Sequence, residues 1–432
     1  MNKKHILFLG GFFGENELPN GICAHAVIRE LRQRGHEVSF LAMNDGYQKE
    51  EEVLDGVYVK RVLADETTRL VSWKKRHHSQ LSQAWFRFRM FLKDIRAFCF
   101  LWVWPFNAPI SYFCMRSAAK QMIRERNIDT LICLYTPFNA VLAGHSLKKK
   151  YKGVNFVVYF LDSLSGGVFP KLTSQEWVGK QGKRWERRLL DNADAICIMK
   201  AHEAHHQRYS ARESYYSRIR VLDIPLVQPG LTVTEPGEIH LPSEKVNLVY
   251  MGSLKRNLKN PSYLLKLFLS TDIPNAVLTF VGNAGDCADM LEQARKRAPE
   301  RIQILGAIRH AEIASVLVQA DVLVNIGSTN TCQIPCKIFE YMSTGKPILS
   351  TYASEQEPSI PYLREYAHSL LLAETDVIRK EDRERITAFL KKLPPDLDVQ
   401  DLRDKYYRCT PAAFCDMLDN LGTRVGARGN SF

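Results

Sequence analysis

The stretch Lys337–Ile348, with the sequence KIFEYMSTGKPI, decides the fold assignment of this chain. Its first residues are typical of a short helix, and Gly345 can end such a helix in the left-handed conformation. Pro347 cannot continue a helix, and the apolar residues Pro347–Ser350 are typical of a buried strand. The pattern therefore predicts a helix that runs directly into a strand.

Two charged residues lie near the start of this predicted helix. Lys337 and Glu340 are three residues apart and so share one helix face. An amine can bind a phosphate, and a carboxylate can accept hydrogen bonds from two ribose hydroxyls. The pair therefore favours a nucleotide-diphosphate ligand, and a nucleotide sugar in particular, over a purely structural helix.

The composition is that of a folded protein with two or three domains. The 432 residues include 45% hydrophobic and 25% charged residues, and the formal net charge is +12. Such a surplus predicts an anionic partner: nucleic acid, an acidic membrane surface or a phosphorylated substrate. The ten scattered cysteines include no CxxC pair, which indicates reduced thiols in a cytosolic protein.

The N-terminal residues 1–11, MNKKHILFLGG, resemble a signal peptide only superficially. The apolar core is short, and no small-residue cleavage site precedes the polar residues 15–17, so we expect a first strand. No run of about eighteen apolar residues occurs, and we therefore expect no transmembrane helix.

The first half of the chain alternates apolar runs with helical patterns, which predicts parallel strands and a doubly wound α/β sheet. The predicted strands are His5–Gly10, Glu37–Ala42, Val57–Val62, Thr130–Tyr135, Asn155–Leu161 and Ala195–Met199. The predicted helices are Ile22–Arg34, Cys114–Arg126, Phe138–Lys150 and Gln175–Asp191.

A segment rich in proline and glycine, Val227–Ser243, interrupts this rhythm and predicts an interdomain linker. The alternation then restarts with predicted strands at Val246–Met251, Ala276–Val281, Ile302–Leu305 and Val322–Ile326, followed by Pro347–Ser350. We thus expect two Rossmann-like domains facing across a cleft, 1–228 and 246–396, joined by a linker at 229–245. A closing helical segment at 397–421 and a disordered tail at 422–432 would follow.

Several motifs in this order are similar to those of one enzyme family. They are GGFFG at 10–14 before a helix, GHEV at 35–38, VYMGS at 249–253, KNP at 259–261 and the block 337–347. On these residues the chain resembles the retaining nucleotide-sugar glycosyltransferases of family 4, which have the two-domain GT-B architecture. The resemblance extends over nearly the whole chain.

Two positions depart from the family pattern. The family has Gly-Arg after the first strand of the second domain and a lysine six residues beyond the arginine; Gly252 and Lys259 match, but Ser253 replaces the arginine. The family also has two glutamates eight residues apart; Glu340 matches the second, and Cys332 replaces the first. Polymer-assembling members carry a Pro-x-Lys-x-x-Glu-Tyr block similar to residues 335–341.

The resemblance implies a role for each candidate residue. The donor-binding set is Gly10, Gly11, Gly14, Gly252, Arg256, Lys259, Lys337 and Glu340. Within it, Lys259, Lys337 and Arg256 would hold the diphosphate and Glu340 the ribose. Asp162, at the end of a predicted strand, and Glu340 are the candidate catalytic residues. No metal or other cofactor is expected.

Ordinary structural roles remain open for three of these features. The turn at 10–14 could be a plain strand-to-helix loop. Arg256 and Lys259 could be solvated surface charges. Asp162 could be a helix N-cap, the common role of an aspartate after a strand.

Residues 202–206, HEAHH, formally match the zinc motif H-E-x-x-H. No third-ligand pattern follows, so we expect a polar surface helix here rather than a metal site.

The segment Arg69–Arg96 combines eight basic residues with one acid, Asp94, and several tryptophans and phenylalanines. The adjoining aromatic residues 98–104 are too few to span a bilayer but suit its interface. An anionic membrane surface is the favoured partner. Single-stranded nucleic acid is the alternative, although no RNA-binding signature accompanies it; the segment could also pack on its own domain.

The sequence therefore predicts a cytoplasmic glycosyltransferase, peripheral on the inner face of the cell membrane, that binds no nucleic acid. It would transfer a sugar with retention from a nucleotide diphosphate to a lipid-linked or polysaccharide acceptor. The alternative is a catalytically silent nucleotide-sugar-binding scaffold of polysaccharide assembly, indicated by Ser253 and Cys332. A dinucleotide oxidoreductase is disfavoured because the chain lacks GxGxxG followed by an acid.

Overall fold

The computed structural model describes residues 3–14, 19–99, 104–106, 108–161, 173–229, 237–330 and 334–422. The chain divides into two compact units. Unit 1 comprises Met1–Pro225 and Pro411–Phe432, and unit 2 comprises Leu226–Thr410. The prediction of two doubly wound α/β domains is confirmed.

The described residues of unit 1 form an eight-stranded sheet in the order β3-β4-β2-β1-β5-β6-β7-β8. The strands are β1 (His5–Leu9), β2 (Glu37–Asn44), β3 (Glu51–Leu54), β4 (Val57–Leu63), β5 (Thr130–Leu134), β6 (Asn155–Phe160), β7 (Ala195–Ile198) and β8 (Ile219–Val221). All neighbours pair in parallel except β3 and β4. The central strands are continuous apolar runs because helices cover both faces of a parallel sheet.

Seven helices precede β8 in the described part of unit 1, and one C-terminal helix completes the unit. They are α1 (Pro19–Gln33), α2 (Glu66–Arg76), α3 (Gln80–Cys99), α4 (Pro109–Glu125), α5 (Phe138–Lys150), α6 (Gln175–Leu190), α7 (Lys200–Ser210) and α15 (Pro411–Gly422). The Asp65 side chain begins α2 by accepting hydrogen bonds from the backbone N–H groups of Thr67 and Thr68, as an N-cap does.

Unit 2 has a six-stranded, entirely parallel sheet over its described residues, in the order β11-β10-β9-β12-β13-β14. The strands are β9 (Val246–Met251), β10 (Ala276–Val281), β11 (Ile302–Gly306), β12 (Val322–Ile326), β13 (Ile348–Tyr352) and β14 (Ser369–Ala373). The strand order reverses between β9 and β12. Ligands of such sheets bind beyond the carboxyl ends of the strands at this point.

The helices of unit 2 pack on both faces of this sheet. They are α8 (Ser262–Leu269), α9 (Ala288–Arg297), α10 (His310–Gln319), α11 (Lys337–Met342), α12 (Ile360–Glu365), α13 (Lys380–Lys391) and α14 (Val399–Lys405). The predicted end of α11 is confirmed: Gly345 has φ +77°, and a Cβ on it would lie 2.3 Å from the carbonyl oxygen of Leu397. Only glycine fits this position without strain.

The segment expected to be a linker is partly attached to unit 2. The backbone N–H of Val227 donates to the carbonyl of Cys409, and the Gln319 side chain bonds the backbone of Ile239 and Leu241. Residues 230–236 lie outside the described part.

The segment expected to close the chain is helical, but it is shared between the units. Its helix α14 belongs to unit 2, whereas α15 belongs to unit 1. Most of the expected tail, residues 423–432, lies outside the described residues.

Candidate donor site in unit 2

The site begins at the carboxyl ends of β9 and β10, where two backbones approach each other closely. Gly252 follows β9 with φ +156°, and Gly282 follows β10 with φ +120°. A Cβ added to Gly282 would lie 2.2 Å from the carbonyl oxygen of Gly252. Gly252, a predicted site residue, therefore lies at a closely packed edge of the sheet. Its neighbour there, Gly282, has no room for a side chain.

The loop after Gly252 forms a tight turn that places Lys259. Backbone hydrogen bonds join Lys255 and Lys259 in both directions, at 3.2 and 2.8 Å. The turn is held against the segment after β12 by Thr329, whose N–H and hydroxyl donate to the carbonyls of Leu258 and Asn257. The loops that follow β9 and β12 are thus fixed to each other at the point where the strand order reverses.

Helix α11 is attached to the end of β9 through Tyr341. The buried Tyr341 hydroxyl accepts a hydrogen bond from the Met251 N–H at 3.0 Å and donates to the Met251 carbonyl at 3.3 Å. On the same helix Lys337 Nζ lies 2.5 Å from Glu340 Oε2, and both side chains are partly exposed. The predicted proximity of Lys337 and Glu340 on one helix face is confirmed.

The turn that carries Lys259 follows β9 directly, and helix α11 with Lys337 and Glu340 is attached to the end of the same strand. The structure therefore groups three predicted residues at this edge, where the charge of Lys337 acts on Lys259. Lys259 is half-buried, and among the described residues it makes no ion pair or side-chain hydrogen bond. Burial lowers the pKa of Lys259, and the nearby charge of Glu357 opposes this shift. A half-buried ammonium without a hydrogen-bond partner in the described chain is well suited to bind an anion.

Glu357 is a site residue that sequence reasoning missed. It is 1% exposed, and its Oε2 accepts hydrogen bonds from the backbone N–H and hydroxyl of Ser359. Its other oxygen, Oε1, has no hydrogen-bond partner in the described part of the chain. Burial raises the pKa of Glu357, and the bonds from Ser359, a backbone bond from Ser328 and the charge of Lys259 act against this shift. The local sequence, EQEPS, gives no sign of a buried acid.

Arg256 does not join this group, although it was predicted with Lys259. Its guanidinium bonds the Asp286 carbonyl at 2.8 Å and both carboxylate oxygens of Asp289 at 2.6 Å. The side chain of Arg256 is exposed and directed to the start of α9. The hydrogen bond and the charge of Asp289 raise the pKa of Arg256.

The predicted residues of the first half belong to unit 1. Gly10 and Gly11 follow β1, the strand at which the order of the unit 1 sheet reverses, and Gly14 has φ +88°. The Gly11 carbonyl accepts a hydrogen bond from the Met43 N–H at the end of β2. Asp162 and Cys332 lie outside the described residues.

The HEAHH segment lies on α7, and the expectation of a polar surface helix is wrong for one of its faces. His202 and His206 are 8% and 2% exposed, and burial lowers the pKa of His206 to about 4. A neutral imidazole packs in an apolar layer more readily than a charged one. In the described chain no three histidine, cysteine or acidic side chains are grouped to hold a metal ion.

The basic and aromatic segment forms the two helices α2 and α3, which we name the arm (Glu66–Cys99). The exposed face of α3 carries a line of apolar side chains at helical spacing: Leu81, Phe88, Leu92 and Ile95. In the structure these side chains are exposed rather than buried against their own domain. Over the described residues no helix is long and apolar enough to cross a bilayer.

Two family profiles match the chain, one in each unit. The family described as "Glycosyl transferase 4-like domain" matches residues 21–222, and "Glycosyl transferases group 1" matches residues 245–379. With the two doubly wound units, these matches define an enzyme of the glycosyltransferase class that uses a nucleotide sugar. The chain belongs to the family 4-like glycosyltransferases of GT-B architecture. No curated protein matches it in sequence.

Solved structures of similar fold cover nearly the whole chain. Sucrose-phosphate synthase from Thermosynechococcus elongatus has 14% identity and a TM-score of 0.65, over 98% of this chain and 100% of that one. A glycosyltransferase from Rickettsia africae has 12% identity and a TM-score of 0.60, over 100% of both chains. HepE from Anabaena, solved with UDP, has 14% identity and a TM-score of 0.58, over 98% of this chain and 100% of that one. At these identities the similarity shows the fold.

Proposed function

We propose that the protein transfers a sugar, with retention of configuration, from a nucleotide diphosphate to a lipid-linked glycan acceptor during polysaccharide biosynthesis. The observation that carries this proposal is the grouping of Lys259, Lys337 and Glu340 where the strand order of unit 2 reverses. Two cations and one acid at that edge suit a diphosphate joined to a ribose.

Lys259 and Lys337 would bind the diphosphate. The leaving diphosphate gains negative charge as the glycosidic bond breaks, and fixed ammonium groups stabilise that charge. Glu340 would accept hydrogen bonds from the ribose hydroxyls while it holds Lys337, since a carboxylate has lone pairs for several donors. Arg256 is outside this set because Asp286 and Asp289 already bind its guanidinium.

In a retaining transfer the leaving phosphate can take the proton of the acceptor hydroxyl, so no protein base is required. The two lysines would replace a metal ion as the source of positive charge, and the proposal therefore includes no metal cofactor.

The arm supports attachment to the inner face of the cell membrane. Basic residues of both helices surround its exposed apolar line. Lys74 and Lys75 lie on α2, and Arg87 and Arg96 lie on α3. Near anionic lipid each basic residue adds up to about 1 kcal/mol, and the apolar side chains insert at the interface. No disulfide joins the described cysteines, which fits a reducing cytoplasm.

The test combines purified protein with UDP-, GDP- and dTDP-sugars and a short-chain polyprenyl-diphosphate glycan. One donor should raise the melting temperature by mass action, and NMR of the product should show the anomeric configuration of that donor. Glu340→Gln should weaken binding of the matching nucleoside diphosphate about tenfold or more, the value of a charge-assisted hydrogen bond. Transfer with inversion, or no binding of any donor, would contradict the proposal.

Membrane attachment is tested separately by flotation with vesicles. Wild-type protein should float with vesicles that contain anionic lipid and not with neutral ones. Equal binding to both would refute the electrostatic part. Replacement of Phe88 and Leu92 by serine should reduce flotation, and the melting temperature of the variant verifies that it is folded.

A further inference from the structure

An open pocket of about 620 Å³ lies in unit 1 between the arm and the carboxyl ends of β2 and β4. Tyr47 and Leu63 border it from the sheet side. Glu66, Arg69 and Trp73 line it from α2, and Trp85 and Arg89 line it from α3. The volume is within the range of small-ligand sites, and most of the lining comes from the arm.

Two arginines in this pocket have unused hydrogen-bonding capacity. The guanidinium of Arg69 makes no ion pair or hydrogen bond with any described residue, although its Nε is buried. Arg89 uses Nη2 to bind Glu66, and its buried Nε has no partner in the described chain. A guanidinium presents its N–H groups as a planar fork that matches the oxygens of a phosphate. The pocket therefore offers a site for a phosphorylated group.

The excess of positive charge remains after the ion pairs of the arm are considered. Arg89 and Arg96 share the single carboxylate of Glu66, with Arg96 at 2.8 Å. Burial would raise the pKa of Glu66, but the hydrogen bond from Arg96 and the charges of Arg96 and Arg89 hold it below its ordinary value. Glu66 is consequently ionised and neutralises one arginine. The second acid that lines the pocket, Asp45, lies 3.9 Å from Arg76, so the charge of Arg69 remains for a ligand.

The other walls are aromatic. The rings of Trp73 and Trp85 lie 4.6 Å apart between centroids, and Trp85 and Tyr47 are both 45% exposed. A flat exposed ring packs against the C–H face of a sugar, which is apolar, while its hydroxyls remain free to bond to acids. Aromatic walls with two arginines and two acids, Asp45 and Glu66, suit a sugar joined to phosphate better than a bare phosphate.

We propose that this arm pocket binds the head group of the acceptor, a sugar joined to a lipid through phosphate or diphosphate. The inference rests on the proposed function, because it assigns the place at which the lipid-linked acceptor is held. The apolar line on the outer face of α3 would lie beside the lipid chain. Arg69 is the main phosphate ligand, and Trp85 packs against the sugar ring.

The test measures binding without donor or transfer. The probes are glucose 1-phosphate, inorganic pyrophosphate and a detergent-free short-chain polyprenyl-diphosphate sugar, followed by tryptophan fluorescence and calorimetry. Arg69→Gln should weaken binding of the lipid-linked probe tenfold or more, and Trp85→Leu should weaken it several-fold. The matched control is Arg87→Gln, because Arg87 is an exposed arginine of α3 outside the pocket; its binding should stay within twofold of wild type.

Each result decides the proposal. Equal losses in Arg69→Gln and Arg87→Gln would overturn it in favour of general charge attraction, and unchanged binding in Arg69→Gln would overturn it outright. If glucose 1-phosphate bound as tightly as the lipid-linked probe, the lipid-linked source would be refuted. Melting temperatures verify that each variant is folded. Loss of probe binding in Arg69→Gln without any glycosyl transfer by the wild type would support the pocket and refute the proposed function.

Discussion

The candidate donor site of unit 2 and the arm of unit 1 both carry positive charge, but in different physical settings. In unit 2 the few charges are half-buried or buried and are placed by loops that hydrogen bonds fix to each other. In the arm many charges are exposed and alternate with exposed aromatic side chains. Fixed, desolvated charge supports selective binding and catalysis, whereas exposed charge supports adhesion to an extended anionic surface.

The largest expected effect tests the unit 2 side of this comparison. Lys259→Gln should lower kcat/KM for the donor about 100-fold or more, because one fixed cation at the leaving group is lost. Steady-state kinetics with the donor identified by thermal shift would measure it. An unchanged kcat/KM would remove Lys259 from the site.

Salt should weaken binding by the arm much more than binding by the candidate donor site. Raising the ionic strength from about 0.1 to 1 M shortens the Debye length from about 10 to 3 Å. Binding to anionic vesicles should therefore fall about tenfold or more, while the Kd for donor changes far less. Flotation would measure vesicle binding and calorimetry the Kd for donor on the same preparation. Equal salt sensitivity of the two would contradict the difference between the regions.

The pH dependence of activity should reveal the coupling of Lys259 and Glu357. Lys259 must be charged to bind diphosphate, and its pKa is already lowered by burial. Removal of a neighbouring negative charge lowers the pKa of a lysine further. Glu357→Gln should therefore move the alkaline limb of the kcat/KM profile to lower pH. A limb that stayed in place, or moved to higher pH, would contradict the coupling.

The smallest effect is expected at Arg256, the matched control for Lys259. Arg256→Gln removes the same charge from the same loop, but its guanidinium is exposed and bound to Asp289. Its kcat/KM should remain within about twofold of wild type in the assay used for Lys259→Gln. A large loss would place Arg256 back among the donor ligands.

The sequence predicted most of the fold because the central parallel strands are continuous apolar runs. The strands it missed are Glu51–Leu54, Ile219–Val221 and Ser369–Ala373. All three are edge strands of three to five residues and are partly exposed, so each is too short for its apolar pattern to be distinguished from that of a loop or a helix.

The site was predicted less completely because its missing parts depend on tertiary contacts. Lys337 and Glu340 share a helix turn, so their spacing alone predicts that they meet. Arg256 and its partner Asp289 are 33 residues apart, and Glu357 approaches Lys259 only after the unit 2 sheet has formed. No local pattern encodes such approaches.

The C-terminal helix α15 determines the order in which the two units are completed during synthesis. Arg34, the residue after α1, donates to the Asp416 carboxylate, and Lys4 donates to the Leu418 carbonyl, so α15 is part of unit 1. During synthesis unit 1 is therefore begun first but completed only after all of unit 2, Leu226–Thr410, has been made. Until then the surface of α1 that receives α15 is uncovered, and a truncation that removed α15 would destabilise the first strands and helix of unit 1.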